Sequence, residues 1–89
     1  MMVAMRRSID DALDDHPAGD DDRPPASWAV ALSDDCEACG EGELRIVLTL
    51  EEAGQAGIGL VAHLAPDTAR RLRVAIADGL REIGEDPGP

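Results

Sequence analysis

The sequence predicts a small α+β domain: a three-stranded antiparallel sheet with one C-terminal helix packed on one face, in the order strand, strand, strand, helix. Three observations carry that reading. Leu44, Ile46, Leu48 and Leu50 alternate with Arg45, Val47 and Thr49, the period of two of a half-buried strand. Ile58, Leu60, Ala62 and Leu64 alternate again after a glycine-bearing turn. From Pro66 to Ile83 the apolar residues recur at three and four.

The chain opens with an acidic arm, residues 1–26. Val3, Met5, Ile9, Ala12 and Leu13 have loose helical spacing, so a short helix over 3–15 is expected, ended by Pro17. Alone it is too short to be stable, and the arm is expected to be flexible. Residues 18–26, with Gly19, Asp20, Asp21, Asp22, Pro24 and Pro25, read as a solvated linker. The domain proper spans 27–84. Its first strand runs from Ser27 to Ser33, with Trp28, Val30 and Leu32 inward and Ala29 and Ala31 outward. The next covers Glu43–Glu51. A loop over 52–57 returns the chain to the strand ending at Leu64.

In the helix, Pro66 suits the first turn, where its missing N–H costs nothing, and Asp67 complements the dipole. Ala65, at the N-cap, has no side-chain acceptor. Ala69, Leu72, Ala75, Ile76, Leu80 and Ile83 form the stripe. Gly79 on that side is expected either to allow close packing on the sheet or to mark a helix–helix contact. Gly84 is placed to end the helix in the left-handed conformation, and residues 85–89 form a tail.

Composition narrows the function classes. Across 89 residues the formal charge is −11, all eight basic residues are Arg, and Trp28 is the only aromatic. Residues 1–26 carry a net −4, residues 27–64 a net −6 and residues 65–89 a net −1. Direct nucleic-acid binding needs a basic patch and is not expected; a basic protein partner fits better. No apolar run spans a bilayer and no signal peptide follows Arg6 and Arg7, so a cytoplasmic protein with reduced thiols is expected. A core of aliphatic residues in roughly sixty ordered positions is marginal, and such chains often gain stability from a metal, a second subunit or a partner.

Cys36-Glu37-Ala38-Cys39-Gly40 lies between the first two strands of the domain. The spacing lets both thiolates meet one ion, and the glycine lets the chain turn beneath it. Three readings stay open: a plain thiol pair or disulfide, a structural zinc site, and redox chemistry. For zinc the missing ligands would be His16 and His63, or the same cysteines of a second subunit. His63 is expected on the outer sheet face and His16 on the arm, which places neither well. Asp34, Asp35, Glu37 and Glu41 would disfavour a thiolate, which weighs against redox use. No catalytic residue is expected, and no cofactor beyond zinc.

The outer face of the sheet, with Val47, Val61 and His63, is small and weakly charged. With Arg70, Arg73 and Gly79 of the helix it is the candidate interaction surface. The expected function is therefore that of a small non-enzymatic accessory protein, acting through a protein partner or as a homodimer. The alternatives are a zinc-knuckle protein or a thiol redox protein.

The closing segment Leu64-Ala65-Pro66-Asp67-Thr68-Ala69-Arg70-Arg71-Leu72 resembles the Leu-x-Pro-x-x-Ala-Arg-x-Leu helix of small strand-rich actinobacterial proteins. The absence of Lys and Asn accords with a GC-rich genome of that kind. Trp28 at a first strand and a Pro-led helix ending near Asp78 and Gly79 also resemble small actinobacterial accessory proteins encoded beside helix-turn-helix regulators. That resemblance implies a protein-binding, regulatory role and assigns no catalytic residue. The Cys-x-x-Cys loop departs from both groups.

Overall fold

The structure, a computed structural model, describes residues 6–17, 19–20, 22–40 and 42–89. Its elements are β1 (Arg6–Leu13), β2 (Ala26–Ser33), β3 (Arg45–Glu52), β4 (Leu60–Leu64) and α1 (Pro66–Glu82). The strands form one antiparallel meander in the order β1-β2-β3-β4. The α+β architecture with a single C-terminal helix is as expected, but the sheet has four strands where three were predicted.

The extra strand comes from the acidic arm, at residues expected to be helical; residues 3–5 of that expectation lie outside the described residues. A helix this short recovers little of its nucleation cost, whereas the free edge of β2 offers a ladder of backbone partners at once. The register runs from Arg6 opposite Ser33 to Leu13 opposite Ser27, with a bulge between Ser8 and Asp10. The bulge inserts Ile9 as the unpaired residue. Arg7, Asp10 and Ala12 therefore sit opposite Leu32, Val30 and Trp28, and no simple alternation survives in the sequence. Asp14 N–H donates to the Ala26 carbonyl at 2.8 Å and closes the ladder.

The other strands keep a strict register. Trp28, Val30 and Leu32 lie opposite Leu50, Leu48 and Ile46. Leu64, Ala62 and Leu60 lie opposite Ile46, Leu48 and Leu50. These residues make one inner apolar face, as the alternation predicts. β4 starts at Leu60, two residues later than expected, because the connection from β3 makes two successive turns. Gln55 N–H reaches the Glu52 carbonyl, and Ile58 N–H reaches that of Gln55. Gly59 lies against β3: a Cβ there would overlap the Leu50 carbonyl oxygen and stand 2.9 Å from Glu51 Cα.

Helix α1 packs on the inner face, approaching β3 and β4 most closely. Its ends are as expected. Ala65 makes no side-chain cap. Gly84 is left-handed, at φ 78°. Gly84 N–H bonds the Arg81 carbonyl and Glu85 N–H that of Leu80, the paired bonds of a Schellman stop. The tail folds back: Arg73 Nη2 donates to the Pro89 carbonyl at 3.1 Å. Gly79 does not approach the sheet; nothing would lie within 4 Å of a Cβ there. The close-packing role expected for it is therefore corrected.

The layers do not close. Among the described residues no apolar side chain is fully buried, and the one buried residue is polar, Ser33. Between α1 and the sheet lies a groove of about 520 Å³ lined by residues including Val30, Ile46, Leu48, Leu72, Ile76 and Leu80.

Candidate functional site

Two features stand out: a thiol–imidazole cluster on the outer face, and the unfilled apolar face inside.

The cluster begins with the loop from Ser33 to Arg45. Gly40 N–H bonds the Glu37 carbonyl at 3.2 Å, and Glu43 N–H bonds that of Gly40 at 3.1 Å. Gly40 and Gly42, at φ 120° and 74°, supply the left-handed backbone that these tight reversals need. Cys39 N–H points at Cys36 Sγ, 3.4 Å away. Two side chains anchor the loop. Asp35 accepts from the Ser33 hydroxyl and pairs with Arg6 of β1 at 3.5 Å. Arg45, at the start of β3, donates to the Cys39 carbonyl at 3.4 Å and pairs with Glu43 at 3.7 Å.

Arg45 belongs to the outer face, so its grip on the Cys39 carbonyl lays the loop over that face. His63 lies opposite Val47, on the same face. The result is contact: Cys39 Sγ is 3.4 Å from His63 Nδ1, and the donor atoms of Cys36, Cys39 and His63 all lie within 4.8 Å of one another. The expectation that His63 points outward holds, but the conclusion that it is badly placed for a metal is corrected: the loop comes to it. His16 pairs with Asp20 at 2.8 Å and is not part of the cluster. Sequence reasoning missed Arg45 as the residue that brings loop and histidine together. The available signal was parity, because Arg45, Val47 and His63 share one face.

Both cysteines are free thiols, half-buried. The Cys39 thiol and then the Cys39 amide donate toward Cys36 sulfur and hold the Cys36 thiol below the ordinary range. Asp35 opposes this and is outweighed, so the expected suppression of thiolate by the acidic neighbours does not hold at Cys36. Cys39, as the donor, is pushed up, with Arg45 acting against the shift. The Asp35 carboxyl is held below its usual range by the Ser33 hydroxyl, with Arg6 adding to it.

The interaction residues expected from sequence fall into two groups, one on the outer face of the sheet and one on the helix. Val47 is half-buried on the outer face; Val61 and His63 are exposed there. Arg70 is paired with Asp67, Arg73 with the tail, and Gly79 faces open space. The larger exposed side chains lie elsewhere. Leu60 is 81% exposed and Leu50 51% exposed, both in inner-face positions, Ile76 of α1 is 59% exposed, and Ile58 in the turn is 77% exposed. No helix among the described residues is long and apolar enough to cross a membrane.

Comparison with protein families, with curated proteins and with solved structures finds no match to this chain.

Proposed function

We propose that the protein works by binding rather than by catalysis, as the subunit of a homodimer that closes its apolar core between two copies. One observation carries this reading: there is a sheet face and a helix stripe, but among the described residues no buried apolar side chain. Its surface is 7143 Å², against about 5,000 Å² for a compact monomer of its mass. Its radius of gyration is 15.5 Å, against about 12 Å for a compact chain of this length. Hiding roughly 2,000 Å² on each of two copies falls within the range of permanent homodimers. A second copy is the fitting occupant because an exposed apolar patch on one chain can be covered by the same patch on another. Leu50 and Leu60 are paired across β3 and β4 and both exposed, and a two-fold axis presents that patch to itself.

The test uses strand parity. Leu60 and Val61 are neighbours on opposite faces of β4. Sedimentation of the full chain at micromolar concentration is expected to give twice the chain mass. Leu60→Glu should release monomer, and Val61→Glu should leave the dimer intact. The reverse pattern would move the interface to the outer face. A wild type that stays a single chain at millimolar concentration would end the reading.

A further inference from the structure

We propose that Cys36, Cys39 and His63 form a three-ligand site for a zinc-class transition-metal ion, clamping the β2–β3 loop onto the edge strand β4. The inference is independent of dimer formation.

The donors suit the ion. Thiolates and imidazoles are the ligands zinc selects, at about 2.3 Å for sulfur and 2.0–2.1 Å for nitrogen. In a tetrahedron those lengths place sulfur and nitrogen about 3.6 Å apart. Cys39 Sγ and His63 Nδ1 already stand 3.4 Å apart. The widest separation in the triad, 4.8 Å at most, closes to a tetrahedral edge by an adjustment of about an ångström, within reach of a cysteine rotamer change.

The surroundings are built for a bound sulfur. The Cys39 amide directed at Cys36 Sγ stabilises a thiolate there. Arg45 holds the Cys39 carbonyl and so fixes the loop relative to the sheet that carries His63, an outer partner orienting a ligand. Asp34 and Glu37, close to Cys36 in sequence, add negative charge to the loop, while Asp35 and Glu43 are offset by Arg6 and Arg45. On binding, each thiol gives its proton to the buffer as its sulfur–metal bond forms, and the imidazole binds through an unprotonated nitrogen. Three side chains leave the fourth tetrahedral position to water.

Arrangement in space separates this site from a simple Cys-x-x-Cys pair. The third ligand is 24 residues away, on a different element. The test therefore centres on His63. Full-length protein, purified reduced and without chelator, is weighed by native mass spectrometry, then stripped and titrated with Co(II) and Zn(II). One metal per chain is expected, with a thiolate-to-cobalt absorption that weakens in Cys36→Ser and in Cys39→Ser and vanishes in the double variant. His63→Ala should weaken zinc at least about tenfold in competition with a chromophoric chelator, the lower bound seen for removal of even an outer partner. His63→Cys, which replaces one zinc donor by another, should restore binding. His63 is exposed on an edge strand, so these variants should keep the wild-type helix signal by circular dichroism. Zinc affinity unchanged in His63→Ala, equal loss in His63→Cys, or a metal-free chain with no cobalt absorption would each overturn the proposal.

Discussion

At the scale of single residues, position against the sheet decides chemistry. Cys36 and Cys39 are three residues apart and both half-buried, yet one accepts hydrogen bonds and the other donates them. In the reduced, metal-free protein Cys36 should therefore alkylate before Cys39 as the pH is raised from neutral. Peptide mass spectrometry of partially labelled protein reads the order directly, and equal labelling would contradict it. Asp35 makes a second case. Its folded pKa lies below the unfolded value, because the Ser33 hydroxyl and Arg6 favour the carboxylate. Its contribution to stability is thus complete above the unfolded carboxylate value and is lost as pH falls through the depressed folded one. Asp35→Asn should flatten the acid limb of a stability–pH curve, and an unchanged limb would show that Asp35 adds nothing.

At the scale of elements, each is formed by a different kind of force. Helix α1 is set by local rules at its C-terminal end, where the Gly84 stop is complete, and is underspecified at its N-terminal end, where Ala65 leaves orphan N–H groups without a side-chain acceptor. Ala65→Asp should stabilise the chain by roughly 0.5–2 kcal/mol, read from the urea midpoint. Gly79 separates the single chain from the proposed dimer. In the single chain the space around it is open, so Gly79→Ala should stabilise the helix by about 1 kcal/mol. A loss of dimer on that substitution would instead place a helix–helix contact at Gly79. Strand β1 belongs to the opposite class. All eight of its residues are exposed, and it is held by backbone pairing to β2 and by the Arg6–Asp35 pair.

For the whole molecule the controlling fact is the surface left open. Hydrophobic stabilisation follows the apolar area removed from water, and among the described residues no apolar side chain is fully buried in the single chain. Stability should then be inseparable from subunit concentration: the melting temperature should rise steadily over a hundredfold concentration series. A melting temperature independent of concentration would mean that the single chain supplies all its own stability. The formal charge of −11 bears on solubility and on which partners approach, and the groove beneath α1 on what they bury.

Local chemistry made much of this legible before any coordinates. Alternation marks β2, β3 and β4 and assigns Trp28, Ile46 and Leu64 to one face, because side chains in a strand can only point two ways. Pro66 and Gly84 mark the helix, because each suits one backbone state. What escaped is non-local. β1 hides behind a bulge that breaks its period, and its pairing depends on an edge that exists only once β2 is in the sheet. His63 meets Cys39 through a loop that Arg45 ties to the outer face, across a separation that no spacing rule covers. The open inner face is likewise invisible in a list of apolar residues: the alternation says which side chains point inward, and only the folded chain shows that a single helix leaves positions such as Leu50 and Leu60 exposed.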